Sequence, residues 1–243
     1  MTLEHFDDGR FSAAENMARD LLLLENHQGP GSIRLRHYDW EPDCFTFGYS
    51  QCYEWIKGQA IRGAQLARRP TGGGLVDHRA DWTYALAISP EHPDYRANAL
   101  EVYRKVHNAL ALALESAGKP ATLQPKEEEG KLPLLFLGSG PKHVRGLCFS
   151  GAETYDVIDP VSRKKIAGAA MKRNKSGLLM QGSVDRHVTG DIDWTIFRNK
   201  FVGNLATEFD AEKIGNISLP VYPKNLLSDT IKKFSSDAWN KRR

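Results

Sequence analysis

The stretch Arg68-Arg69-Pro70-Thr71-Gly72-Gly73-Gly74-Leu75-Val76-Asp77-His78 (68–78) is the most specific local feature of the chain. Three consecutive glycines follow two fixed positive charges. Only glycine lets a backbone approach a ligand closely while its N–H groups stay free. The alternative is a flexible glycine turn beside an incidental arginine pair. The flanking arginines and histidine favour a loop that contacts a ligand.

A second segment, Arg163-Lys164-Lys165-Ile166-Ala167-Gly168-Ala169-Ala170 (163–170), places a lysine run at the start of a strand of small and β-branched residues. Small side chains leave room for a bound group. A lysine there can point its ammonium into an apolar slot and hold a carbonyl or carboxylate oxygen. The alternative is an exposed basic turn, 161–165, leading into an edge strand. Taken alone, the segment favours that turn.

A third segment, 146–150, contains Cys148 between Leu147 and Phe149. Three basic residues come just before it: Lys142, His143 and Arg145. Nearby positive charge favours the thiolate, which is the reactive form of cysteine. By composition alone, however, a free cysteine between two apolar residues is more often a buried small hydrophobe. Cys44 and Cys52 stand beside aromatic residues, and we assign them no chemistry.

The spacing of apolar residues predicts alternating helices and strands. Helices are expected after a cap at Ser12, over 97–117, beyond Gly190 and near 228–239. Strands are expected as two runs within 32–50, over 81–89, and at TYDVI, KKIAGAA and GLLMQGSV. The stretch 123–146 has no period and many turn formers, so we expect a long loop. This pattern predicts one α/β or α+β domain.

Bulk composition excludes several classes of protein. The chain has 243 residues, of which 41% are hydrophobic and 26% charged, as in ordinary globular proteins. A net charge of +3 does not predict binding to nucleic acid or to an anionic membrane. The cysteines show no CxxC or Cys/His pattern, so we expect no disulfide framework and no metal site. With no apolar signal core and no spanning run, we expect a cytoplasmic protein.

Seven motifs occur in the order of a known superfamily: NMARDLLLLE, FTFGYSQ, RRPTGGGLVDH, WTYALAIS, CF before a TYDV strand, KKIAGAA and LLMQGSV. Through them, most of residues 10–185 resembles the biotin/lipoate ligases and lipoyl/octanoyl transferases. The resemblance implies a class II biotin/lipoyl protein ligase-like catalytic domain, an α/β fold with a mixed sheet flanked by helices. It also implies that 1–243 is one domain without the C-terminal accessory domain usual in ligases.

The resemblance also implies site residues. Cys148 and Lys165 correspond to the catalytic pair, with Lys165 as the essential lysine beside an acyl tunnel. The implied substrate-binding residues are Tyr49, Gln51, Arg69, Thr71, Gly72, Gly73, Gly74, His78, Gly168 and Ala169. No residue is implied as a metal ligand.

Within the superfamily, the choice lies between a transferase and an ATP-dependent ligase. The cysteine-using octanoyltransferases place their nucleophile in a CF motif before a YD or YE strand, where Cys148 stands. They also tend to have TGGR, whereas Gly74 makes this TGGG, the form found in ligases. The stretch 123–146 matches no standard family feature. We favour the transferase because a nucleophile is harder to place by chance than a glycine.

The resemblance implies a ping-pong reaction. Cys148 would take an octanoyl group from acyl carrier protein and pass it to a lysine on a lipoyl domain of a 2-oxoacid dehydrogenase or on the glycine-cleavage H protein. No cofactor is expected. The ligase alternative would use ATP and magnesium and form a lipoyl-adenylate. A third hypothesis is a non-catalytic module that binds lipoyl domains or an acyl or biotin-like ligand. The family likeness favours a monomer.

Overall fold

The computed structural model describes residues 1–26, 31–126, 151–218 and 220–242. The strands are β1 (Thr2–Phe11), β2 (Ser32–Trp40), β3 (Cys44–Phe47), β4 (Gln65–Arg68), β5 (Val76–Asp77), β6 (Asp81–Ile88), β7 (Thr122–Leu123), β8 (Val157–Ile158), β9 (Lys165–Asn174), β10 (Gly177–Asp185) and β11 (Lys213–Asn216). The helices are α1 (Ala13–Glu25), α2 (Tyr53–Gln59), α3 (Ala99–Ser116), α4 (Arg186–Thr189), α5 (Trp194–Glu208), α6 (Lys224–Ser235) and α7 (Asp237–Asn240). A single 3-10 turn, Pro93–Tyr95, precedes α3.

Two sheets form the frame of the described chain. The larger has eight strands in the order β11-β1-β2-β6-β10-β9-β8-β7. It is mixed, because β1 pairs in parallel with β2 and β11 while the remaining pairs are antiparallel. The smaller sheet has the order β4-β3-β5. Strand β4 ends just before the glycine segment 69–75 and β5 begins just after it, so this sheet positions that loop.

Helices cover both faces of the large sheet. On one face, Met180 of β10 packs in a core with Val106 of α3 and Phe201 of α5. On the other face, Leu179 packs with Met17 of α1 and Phe234 of α6. Successive residues of β10 therefore enter opposite cores, as the two-residue period of a strand requires. The predicted mixed sheet flanked by helices is confirmed.

Most predicted elements form near their expected bounds. Ser12 caps α1 by accepting a hydrogen bond from the Glu15 N–H at 3.2 Å. The predicted last helix starts earlier than expected and divides at Ser236 into α6 and α7. Only Val157 and Ile158 of TYDVI are in a strand. Most of the predicted loop 123–146 lies outside the described residues. No described helix combines the length and apolar character needed to cross a membrane.

The strand β1 was not predicted. Its sequence lacks a clean alternation of apolar and polar residues because several of its charged side chains are paired inside the fold. Glu4 accepts a hydrogen bond from Arg34 at 2.6 Å, and Asp8 accepts one from Arg36 at 2.7 Å. A strand with paired charges on its inner face gives no recognisable period in the sequence.

Candidate functional site

A cavity with about 400 Å³ of empty volume, part of it open to solvent, lies where the two sheets meet. The large sheet contributes Tyr38, Trp40, Thr83, Gly168, Ala169, Ala170, Gln181, Gly182 and Ser183. The small sheet and its loop contribute Thr46, Arg69, Val76 and His78, and α1 contributes Met17. Four residues predicted from the sequence, Arg69, His78, Gly168 and Ala169, therefore line one cavity.

Arg69 holds the glycine loop in place. Its Nη2 donates to the carbonyl oxygens of Gly72 at 2.8 Å and Gly74 at 2.7 Å, and its Nη1 donates to Thr46 Oγ1 at 2.8 Å. Gly73 has a φ of +86°, a conformation that glycine adopts without strain. Within the described residues, the N–H groups of Gly72, Gly73 and Gly74 donate no hydrogen bond. The loop thus carries N–H donors that no described residue accepts from. Gly72, Gly73 and Gly74 are not among the described residues that line the cavity, so their substrate-binding role stays a prediction.

The GYSQ segment braces this loop from behind. A Cβ on Gly48 would lie 2.0 Å from the Gly73 carbonyl oxygen, so the two backbones touch only because residue 48 is glycine. The Tyr49 N–H donates to the Thr71 carbonyl at 2.8 Å, and Gln51 Oε1 accepts from the Gly48 N–H at 2.9 Å. Among the described residues that line the cavity, Tyr49 and Gln51 are absent. Their substrate-binding role stays a prediction.

His78 belongs to a chain of hydrogen bonds at the cavity wall. Its Nδ1 lies 2.6 Å from Asp81 Oδ2, and its Nε2 lies 2.7 Å from Thr46 Oγ1. A neutral imidazole satisfies both contacts by donating to the carboxylate and accepting from the hydroxyl. Its ring stacks on Trp40 with centroids 3.8 Å apart. His78 therefore supports the loop through Thr46 and Arg69.

Asp81 was not predicted as a site residue. Besides His78, its Oδ2 accepts hydrogen bonds from Thr83 Oγ1 at 2.9 Å and from Ser183 Oγ. The Asp81 residue starts β6, three positions after His78. The His-x-x-Asp spacing is the sequence feature that links the two residues, and it is too common to predict Asp81 as a site residue.

A second buried network ends at Thr71. Its hydroxyl donates to Gln181 Oε1 at 2.7 Å, and Gln181 Nε2 donates to Asp20 Oδ2 at 2.6 Å. Burial raises the pKa of Asp20, and the Arg36 guanidinium opposes that rise with a hydrogen bond of 2.5 Å. Thr71 does not line the cavity directly but orients Gln181, which does.

These two networks pair the polar groups that line the cavity. Eight lining side chains carry a polar group: Tyr38, Trp40, Thr46, Arg69, His78, Thr83, Gln181 and Ser183. Each of them is hydrogen-bonded to another protein group. Because paired polar groups gain little by binding a polar ligand, the cavity favours an apolar chain despite its composition.

Lys165 is buried beside Gly168 of the cavity lining and is not part of an exposed basic turn. Its exposed fraction is 9%, and β9 runs inside the sheet between β8 and β10. The Nζ lies 2.7 Å from Asp156 Oδ2. A Cβ on Gly168 would lie 2.4 Å from Lys165 Cε, so the lysine folds back over a residue that has no side chain. The KIAG motif therefore gives the ammonium its position.

The two cysteines that the structure describes differ in their exposure to solvent. Cys44 is buried, and burial raises the pKa of its thiol to about 11. Cys52 is exposed. Cys148 lies outside the described residues, as do its basic neighbours Lys142, His143 and Arg145. In the described part of the chain, no three His, Cys, Asp or Glu side chains come together in a group that could hold a metal ion.

Comparison with known proteins gives consistent results. Residues 12–206 match the family model of the lipoyl protein ligase A/B catalytic domain. An octanoyltransferase LipM from Anoxybacillus flavithermus is 33% identical over 197 residues, which are 79% of this chain and 68% of that protein. The Bacillus subtilis octanoyltransferase LipM is 33% identical over 190 residues, 75% of this chain and 65% of that protein. The chain spans about two-thirds of the length of these curated relatives.

Solved structures share the fold. Ta0514 from T. acidophilum, solved with bound lipoic acid, has a TM-score of 0.72 and 19% identity, covering 100% of both chains. A lipoate-protein ligase A bound with ATP has a TM-score of 0.71 and 19% identity, covering 99% of both chains.

Proposed function

Since the chain belongs to the lipoyl protein ligase A/B catalytic-domain family, we propose that it is an octanoyltransferase acting on lipoyl domains. The observation that carries this proposal is the cavity whose polar lining is already paired. A medium-length acyl chain fits such a space better than a sugar or nucleotide, which would need free polar partners.

Two features at the edge of the cavity support acyl transfer. The free N–H groups of 72–74 are donors suited to an acyl carbonyl oxygen. The Lys165 ammonium, held beside Gly168, is suited to stabilise the negative charge that develops on that oxygen. Each feature neighbours a residue of the cavity lining: a Cβ on Gly73 would lie 3.5 Å from Ala170 Cβ, and a Cβ on Gly168 would lie 2.5 Å from Lys165 Nζ.

The nucleophile in this proposal is Cys148. Its thiolate attacks the thioester of octanoyl acyl carrier protein, so a new S–C bond forms and the carrier thiol leaves with a proton. The amine of an acceptor lysine then attacks the acyl-enzyme, forming an amide and releasing the Cys148 thiol. The support is the CF motif and its place in the sequence, before the TYDV segment whose Asp156 carboxylate lies 2.7 Å from Lys165 Nζ.

Donor and acceptor follow from this chemistry. We assign octanoyl acyl carrier protein as donor and the lipoyl domain of a 2-oxoacid dehydrogenase or the glycine-cleavage H protein as acceptor. A thioester is already activated, so this route needs no nucleotide, metal or other cofactor. The relatives named octanoyltransferase LipM support this assignment.

The test is a Cys148→Ala variant, with Cys52→Ala as the matched control because Cys52 is exposed. Both are assayed with octanoyl carrier protein and, separately, with lipoate plus ATP. We expect Cys148→Ala to lose carrier-dependent transfer by more than about 1,000-fold. Mass spectrometry should show one octanoyl group on wild type and on Cys52→Ala only.

Retained carrier-dependent transfer in Cys148→Ala would refute the cysteine route. Modification of the lipoyl domain only with lipoate plus ATP would instead identify a ligase, for which Gly74 is the sequence feature. No adduct and no modified lipoyl domain with either substrate would identify a binding module.

A further inference from the structure

We propose that Asp156 and Tyr103 are positioning residues that fix the direction of the Lys165 ammonium, with helix α3 as the rigid support. This inference rests on the proposed function, in which Lys165 stabilises the negative charge that develops on the acyl oxygen. Neither Asp156 nor Tyr103 was predicted from the sequence.

The Asp156 carboxylate is held at both oxygens. Its Oδ2 accepts from the Glu153 N–H at 2.7 Å and lies 2.7 Å from Lys165 Nζ. Its Oδ1 accepts from the Tyr103 hydroxyl. The residue is fully buried. A carboxylate fixed in this way cannot rotate to follow a moving ammonium, so it defines where the ammonium sits.

Tyr103 connects this carboxylate to the strand that carries the lysine. Its hydroxyl donates to Asp156 and accepts from the Ala169 N–H at 3.1 Å. Burial and the neighbouring Asp156 carboxylate raise the pKa of Tyr103, so the hydroxyl keeps the proton that it donates. Because Ala169 lines the cavity, the same hydroxyl ties the cavity wall to Asp156.

A second residue of α3 holds the neighbouring backbone. His107 lies one turn after Tyr103, so both side chains project from the same face of the helix. The His107 Nδ1 lies 2.7 Å from the Tyr155 carbonyl oxygen. Tyr155 has a φ of +65°, unusual for a residue other than glycine. The helix therefore fixes a strained peptide directly before Asp156.

A flexible lysine side chain needs a fixed partner if its ammonium is to point in one direction. An ammonium carries three N–H donors on a flexible four-carbon stem, and an acyl oxyanion needs one donor aimed at it. A fixed carboxylate partner limits the directions in which these donors can point. Asp156 thus provides direction, and Tyr103 provides rigidity.

The test compares Asp156→Asn and Tyr103→Phe with Tyr95→Phe, a matched control whose hydroxyl donates at 2.9 Å to Asn174 on the far part of β9. Each variant is assayed for kcat and KM in octanoyl transfer. We expect kcat to fall about 100-fold in Asp156→Asn, as for a misplacement of about 1 Å, and about 10-fold in Tyr103→Phe, with KM nearly constant. Tyr95→Phe should match wild type.

A second readout does not depend on activity. Labelling of Lys165 by an amine-reactive reagent is measured at pH 8 by mass spectrometry. We expect several-fold more labelling in Asp156→Asn, because a Lys165 side chain that is no longer held by a fixed carboxylate reaches the reagent more readily. Unchanged kcat or unchanged labelling in Asp156→Asn would overturn the proposal. If that variant does not fold, wild-type kcat in Tyr103→Phe would overturn it. An inactive wild type would count against the proposed function alone, leaving the labelling result to decide this inference.

Discussion

Replacing Gly168 by alanine tests whether Lys165 must lie across a residue without a side chain. The added Cβ would lie 2.4 Å from Lys165 Cε, 2.5 Å from Nζ and 3.0 Å from Asp156 Oδ1. Ordinary contacts begin near 3.4 Å, so the lysine must move by about 1 Å. Gly168 does not have a positive φ, so alanine fits its backbone conformation.

The displacement sets the expected size of the effect. A shift of about 1 Å at a catalytic group costs about 100-fold in rate, which is about 2.7 kcal/mol in the activation barrier. Overpacking lowers the free energy of unfolding by about 1–3 kcal/mol. The clash is with the flexible end of a side chain, so we expect the lower part of that range. The variant should therefore be folded and nearly inactive.

The assay measures kcat/KM for octanoyl transfer together with urea unfolding. Gly215→Ala is the matched control, because Gly215 also lies in a strand and its added Cβ would meet only Ile217 Cγ2 at 3.9 Å. We expect the control to keep wild-type activity. If Gly168→Ala is folded and its kcat/KM stays within about three-fold of wild type, the position of Lys165 over Gly168 has no catalytic importance.

Two further predictions concern the loop and stability. Gly48→Ala would place a Cβ 2.0 Å from the Gly73 carbonyl oxygen, a backbone clash that side-chain rotation cannot relieve. We expect a loss of about 1–3 kcal/mol in unfolding free energy and a loss of transfer activity. Gly58→Ala, whose added Cβ would have nothing within 4 Å, should keep transfer activity and lose no stability, because Gly58 lies in α2 and alanine favours a helix more than glycine does. A stable, active Gly48→Ala would contradict this. Burial lowers the pKa of His107 from 6.5 to about 4, so the unfolded state takes up a proton first as pH falls. The free energy of unfolding should therefore fall by about 3 kcal/mol between pH 6.5 and pH 4. Urea unfolding should show a smaller fall in His107→Asn than in wild type. Equal falls in the two proteins would refute the assignment of this pH dependence to His107.

The predicted family is confirmed, and so are the helices and strands whose apolar residues recur at a regular period. Ser12 and the helix after it could be read directly, because capping and periodicity are local properties. The small residues of 166–170 could be recognised as leaving room, and Lys165 occupies that room beside Gly168. Contact of 72–74 with a ligand stays a prediction. Two assignments stay predictions: one domain over 1–243, and Cys148 as the nucleophile.

The tertiary structure alone decided which partners these residues meet. Arg69 turns towards the carbonyls of its own loop, although its sequence position suggested a ligand contact. Asp156 reaches Lys165 through strand pairing, and Tyr103 reaches Asp156 from a helix 53 positions earlier in the chain. Partners so far apart in the chain leave no local pattern, because strand register and helix packing bring them together. The sequence by itself determined the family and the residues able to do chemistry. Packing determined that the polar side chains lining the cavity are hydrogen-bonded to other protein groups, which makes the cavity suited to an acyl chain.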